Sequence, residues 1–303
     1  MTKPDEAFRI LQASHHGDSR KARPDWLKVR LPAGEQYFRL KTLVREQQLH
    51  TVCEDARCPN IGECWGAGTA TFMILGDTCT RACGFCAVKT GRPPIYDFEE
   101  PGRVAEAVRK LRLKYAVITS VDRDDLADGG AYIFAETIRR VRAACEGILV
   151  EVLIPDFRGS VPALRTVVEA RPDVLAHNVE TVARLYPTAR AGSRYRRSLD
   201  HLRNAKSCGI PVTTKSSIML GLGERRDEVL ESLVDLRDAG VDIVTLGQYL
   251  QPTREHLPVD RFYTPEEFAA LQEYGVSLGF SHVEAGPLVR SSYHAERQAS
   301  HLA

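Results

Sequence analysis

The sequence predicts an α/β fold of repeated βα units, and three observations carry the prediction. Short β-rich runs recur at 70–75, 115–120, 148–154, 174–178, 212–219 and 242–246. Between them Val104, Val108 and Leu111, then Phe134, Ile138 and Val141, then Val229, Leu233 and Leu236 repeat at i, i+4 and i+7. Each such helix therefore lays one apolar stripe against a sheet. The third observation is size: 303 residues, 43% of them hydrophobic, supply a sizeable core. Strands at this rhythm with helices between them pair in parallel. Such chains close into barrels or open into doubly wound sheets, and both place chemistry at the carboxyl ends of the strands.

The first fifty residues are polar and basic, with Pro4, Pro24 and Pro32 interrupting any long helix. They read as an extended arm with one helix, at 37–48. Polar residues gather where the predicted strands end: Asp122 after the second, Asn178 and Glu180 after the fourth, Lys215 and Ser217 late in the fifth, Gln248 after the sixth. Any one of them serves equally well as a helix cap; together they predict a lined cavity. The run Leu220-Gly221-Leu222-Gly223-Glu224 has Arg226 where a dinucleotide loop needs its third glycine, so it reads as a close-approach turn.

Charge narrows the partners. Forty-one Lys and Arg against forty Asp and Glu leave a net +1, too little to draw the whole chain onto nucleic acid or anionic lipid. Local basic patches remain, at Arg139, Arg140 and Arg142 and at Arg194 to Arg197. Asp5, Glu6 and Asp18 fall where an export or transit signal would be apolar or acid-poor, and no apolar run spans a bilayer, so a cytoplasmic location is expected.

Six of the eight cysteines, at 53, 58, 64, 79, 83 and 86, crowd one short stretch, whereas Cys145 and Cys208 stand apart. In a reducing compartment such a cluster predicts metal ligation rather than disulfides. Cys79-x3-Cys83-x2-Cys86 follows the first predicted strand directly. Structural zinc wants four ligands in a closed tetrahedron, and no fourth Cys or His is near. A 4Fe-4S cube normally takes four thiolates, so three leave one iron open to a small molecule. Cys53-x4-Cys58-x5-Cys64 offers three more, which either a distant residue completes or which are open too. The sequence thus predicts two clusters.

The C-x3-C-x2-C loop, with Phe85 before its third cysteine and a βα-repeat chain behind it, resembles the radical S-adenosylmethionine superfamily. With the upstream triplet and Arg290-Ser291-Ser292-Tyr293, it is similar to the lipoyl synthase family. Pro24 to Lys28, Thr119 to Leu126, His177 to Thr181 and Gly286-Pro287 extend the likeness over roughly residues 24–296. The resemblance implies a partial (β/α)6 TIM-type barrel at 70–280. Residues 1–69 would form an arm, and 281–303 a tail, both covering the barrel mouth. It implies that Cys79, Cys83 and Cys86 hold the cluster that reductively cleaves S-adenosylmethionine. Phe85 would flank the adenine, Glu180 the ribose, and Arg194 the methionine carboxylate, with Asn178 and Lys215 as lesser contacts.

The family inserts two sulfur atoms, at the sixth and eighth carbons of an octanoyl chain on a carrier-protein lysine. Unactivated methylenes give ionic acid-base catalysis no handle. Cys53, Cys58 and Cys64, with Ser292 preferred over Ser291 as fourth ligand, would hold the cluster that donates the sulfur. Implied partners are the glycine cleavage H protein or a 2-oxoacid dehydrogenase lipoyl domain, a flavodoxin or ferredoxin as electron donor, and a cluster-repair carrier. Nucleic acid and membrane are not among them. Rival readings fare worse: a tRNA-modifying relative would need a basic accessory domain, an electron carrier would close every iron with cysteine, and a zinc module would need a fourth ligand.

Overall fold

Inside-outside alternation along the strands decides the architecture. On the strand at 115–120, Ala116 and Ile118 join the apolar cluster under the flanking helices, while Tyr115 and Val117 join a separate cluster with Val174 and Ala295. A parallel sheet with one face on helices and the other on a side-chain-filled interior is curved into a barrel wall. The computed structural model describes residues 24–28, 34–66, 69–93 and 96–298. The first 23 residues of the expected arm lie outside the described residues.

The main sheet holds eight strands: β1 (His50–Thr51), β2 (Thr71–Ile74), β5 (Tyr115–Ser120), β6 (Leu149–Leu153), β7 (Val174–Ala176), β8 (Thr213–Leu220), β9 (Ile243–Gln248) and β10 (His282–Gly286), adjacent in that order. A two-strand ladder, β3 (Thr78–Cys79) with β4 (Lys89–Thr90), stands beside it. From β2 to β10 every pairing is parallel, and β1 alone runs antiparallel, to β2. All six expected strands are present. Two more join them, β1 from the arm and β10 from the segment read as tail, and the sheet stays open.

The intervening helices follow the predicted stripes: Val104, Val108 and Leu111 are buried on Glu100–Leu111, Phe134, Ile138 and Val141 on Ala131–Ala144, and Val229, Leu233 and Leu236 on Arg226–Asp238. The arm's helix is Glu35–Glu46, two residues earlier than expected. Thr264 and Glu267 form a reciprocal cap that starts Pro265–Ser277. No helix among the described residues is long and apolar enough to cross a membrane.

Residues of the arm and the tail meet. Asn60 Nδ2 donates to the Leu288 carbonyl at 2.6 Å, and Tyr293 donates its hydroxyl to Glu63 Oε1 at 3.0 Å. The tail also goes further than the mouth: Ala295 packs on Tyr115, Val117 and Val174, low on the interior face of the sheet.

Candidate functional site

Two thiol triplets sit at different places on the barrel, and each is shaped by its backbone. Cys79 ends β3, and the loop beyond it is tied down on three sides. Thr80 N–H donates to the Asp122 carbonyl, Gly84 N–H to Ala189, and Leu257 N–H to Gly84. Gly84 packs closely there: a Cβ would lie 3.0 Å from the Leu257 side chain and 3.3 Å from the Thr188 carbonyl. His256 Nε2 lies 2.9 Å from the Cys86 carbonyl. Cys79 Sγ accepts from the backbone N–H groups of Arg81 at 3.4 Å and Asp122 at 3.3 Å. Arg81, buried inside the loop, binds Asp124 at 2.7 Å, Asp156 at 2.7 Å and Asp122 at 3.3 Å.

Beside this loop stand the polar ends of β7 and β8. Asn178 Nδ2 donates to Glu180 Oε1 at 3.1 Å, and Arg190 Nη1 donates to the Asn178 carbonyl at 2.7 Å. Glu180 takes the left-handed conformation, φ +66°, and is stitched to β8 through Ser217 and Met219. Burial pushes its carboxyl up while Arg190 pulls it down. Behind them His177 is enclosed, with Nδ1 2.8 Å from the Ile154 carbonyl and Nε2 3.0 Å from Ser198 Oγ. Burial holds it neutral, well below the ordinary histidine value.

The second triplet comes from the arm. Thr51 caps the turn Val52–Asp55, which carries Cys53; Cys58 follows, and Ile61–Gly66 presents Cys64. Cys53, Cys58 and Cys64 line one cavity together with Asn60, Thr71, Arg290, Ser292 and Tyr293. Thr71 donates its hydroxyl to Ser292 Oγ at 2.9 Å, which aims the serine into that cavity. Ser291 faces elsewhere and donates to Asn178 Oδ1 at 3.2 Å. Gly247 on β9 makes room for the tail, since a Cβ there would strike the Val289 carbonyl.

The donor sets fit iron-sulfur clusters. Burial pushes the Cys53 and Cys79 thiols up to about 11, with nearby anionic groups adding to it. It raises Cys58, Cys64, Cys83 and Cys86 as well. Six soft donors that resist ionising alone are sites that a cationic iron core would complete. Among the described residues no three His, Cys, Asp or Glu side chains close on a point as ligands of one ion do.

Some expected contacts fall elsewhere. Lys215 is fully buried in an ion pair with Glu151, 2.8 Å away, and Glu151 also accepts from Tyr115 at 2.6 Å. Its inward position on β8 is what the strand pattern gives, but its charge is already spent on this pair. Arg194 is exposed and lines a separate groove with Arg158, Arg196 and Arg197. The N-terminus of Tyr195–Ser207 turns it outward. Gln248 closes a structural loop, donating to Leu220, Tyr249 and Arg261 and accepting from Tyr263. Phe85 is half-buried beside Cys86. Sequence reasoning missed Arg81 and Arg190, both buried cations serving this loop.

A mostly parallel α/β sheet carrying a three-cysteine loop at the end of its first parallel strand defines a radical S-adenosylmethionine enzyme. Residues 73–236 match the model of the radical SAM superfamily, and residues 6–58 match that of the N-terminal domain of lipoyl synthase. The lipoyl synthase of Rubrobacter xylanophilus is 59% identical over 92% of this chain and 87% of its own length. That of Symbiobacterium thermophilum is 56% identical over 98% of this chain and 92% of its own. The chain belongs to the lipoyl synthase family, whose cofactors are S-adenosylmethionine and 4Fe-4S clusters. Among solved structures, methylornithine synthase overlays with a TM-score of 0.53 at 16% identity, covering 83% of each chain. The coproporphyrinogen III oxidase of Escherichia coli gives 0.51 at 12% identity, covering 90% of this chain and 61% of its own. These two share the fold.

Proposed function

We propose that the chain inserts sulfur at the sixth and eighth carbons of an octanoyl-lysine on a lipoyl carrier protein, with the two triplets dividing the work. When bound, the first cluster and S-adenosylmethionine supply a carbon radical, and the second cluster supplies sulfide. Cys79, Cys83 and Cys86 would hold the first, and Arg81 fixes their loop by three carboxylates. Phe85 would flank the adenine and Glu180 the ribose, with Asn178 beside it as a lesser contact. Cys53, Cys58, Cys64 and Ser292 hold the second. The serine oxygen would be the one hard donor in an otherwise soft set, and so the weakest hold on that cluster. The interior between them holds the acyl chain and keeps water from a reactive intermediate.

The observation that carries this reading is Ser292: it comes from the opposite end of the chain yet lines one cavity with all three arm cysteines. Glycine cleavage H protein and 2-oxoacid dehydrogenase lipoyl domains are the proposed carriers. A flavodoxin or ferredoxin delivers electrons, a repair carrier rebuilds the consumed cluster, and the setting is the cytoplasm. The test is anaerobic incubation of the reconstituted protein with octanoylated carrier, S-adenosylmethionine and reductant, read by mass spectrometry. A two-sulfur gain on the carrier is expected. Deoxyadenosine without sulfur on the carrier would leave radical generation standing and remove lipoyl synthesis.

A further inference from the structure

The loops after β6 and β7 leave a groove at the carboxyl-end rim of the barrel, lined by Arg158, Arg194, Arg196 and Arg197 with Asp200. Its volume of about 480 Å3 suits several side chains of a partner rather than one ion. Arg158, Arg194 and Arg196 are exposed, and among the described residues none has an ion-pair partner. The helix Tyr195–Ser207 starts here with Arg194 at its cap and no side-chain acceptor, so its first backbone N–H groups add positive potential. The buried carboxylate of Asp156 joins the groove to the cysteine loop: Oδ2 takes Arg197 and Oδ1 takes Arg81, both at 2.7 Å.

We propose that this groove is the docking surface for an acidic face of the octanoyl-bearing carrier protein, an inference that rests on the function proposed above. Three uncompensated cations in one concave site make a local field on a chain whose net charge is only +1. The groove lies in the loops at the carboxyl ends of the strands, one carboxylate, Asp156, away from the first cysteine loop. A polyanion such as RNA would need a longer basic track than this one groove. Rim charges of this kind raise the association rate and its salt dependence more than they deepen the bound state.

The test compares wild type with the Arg158→Glu, Arg196→Glu double variant, both reconstituted, on an octanoylated carrier and on a short octanoyl-lysyl peptide, from low to high salt. The expected result is a carrier KM at least about tenfold higher at low salt, with the gap closing at high salt. Peptide turnover and deoxyadenosine formation stay at the wild-type level. An unchanged carrier KM, an equal loss on both substrates, or tighter competition by duplex RNA than by carrier would overturn the docking surface. If wild type adds sulfur to neither substrate, the underlying function fails instead, a distinct outcome.

Discussion

Ser291 donates its hydroxyl to Asn178 Oδ1 at 3.2 Å, so the residue next to the proposed serine ligand is tied to the shelf beside the first cysteine loop. Asn178 passes the tie on to Glu180 at 3.1 Å, while Ser292 is held by Thr71 on the other side of the lumen. On the proposed function, Ser291 would position the sulfur-donating side relative to the radical-generating side. Ser291→Ala should keep the visible absorption and iron content of wild type and still cleave S-adenosylmethionine. Sulfur insertion should fall about tenfold, roughly 1.4 kcal/mol in the barrier, with deoxyadenosine in excess over product. Unchanged coupling of deoxyadenosine to sulfur would remove this role.

Gly247 gives the tail its depth. A methyl group there meets the Val289 carbonyl, just before Arg290 and Ser292. Gly247→Ala should therefore displace Ser292 while leaving the loop of Cys79, Cys83 and Cys86 in place. Iron analysis after reconstitution should drop from about eight to about four per chain, and S-adenosylmethionine cleavage should persist. Full iron content in the variant would contradict the placement.

Arg81 is the internal tie of the cysteine loop. Its side chain is 3% exposed and faces Asp156, which is wholly buried. Arg81→Met leaves Asp156 to Arg197 and takes the shared cation from Asp122 and Asp124, at a cost of up to about 3 kcal/mol. Urea unfolding of the cluster-free chain measures it, and Arg81→Lys should recover part of the loss.

How much of this was readable beforehand depends on what kind of signal each residue leaves. The six cysteines announce themselves by spacing, and the six expected strands by their apolar runs. β10 does not, because His282-Val283-Glu284-Ala285-Gly286 buries only Val283. Ser292 is legible only through family resemblance, since a serine in Arg-Ser-Ser-Tyr otherwise reads as a turn. Lys215 on β8 pairs with Glu151 on β6 over the intervening β7, a partnership that strand register sets and local sequence does not reveal. Arg81 and Arg190 carry no periodicity. The carboxylates at 122 and 124 were the available clue to Arg81.

The buried imidazoles predict an acid weakness. His201 is held down to about 4, by burial first and then by Arg190 and Arg197 against Asp156. An unfolded histidine takes a proton near 6.5, so between that pH and about 4 the unfolded state binds more protons and stability falls as pH drops. Above about 6.5 the effect vanishes. At pH 5 His201 alone costs about 2 kcal/mol. Thermal unfolding of His201→Phe, which keeps the ring contacts to Phe157 and His177, should show a smaller drop in Tm from pH 7 to pH 5 than wild type.

The division of labour between the two thiol triplets is tested most directly by deoxyadenosine and lipoyl product measured side by side in two reconstituted variants. Cys58→Ala should go on forming deoxyadenosine while yielding no sulfur-containing product, and Cys83→Ala should form neither. Equal deoxyadenosine formation by the two variants would contradict the assignment.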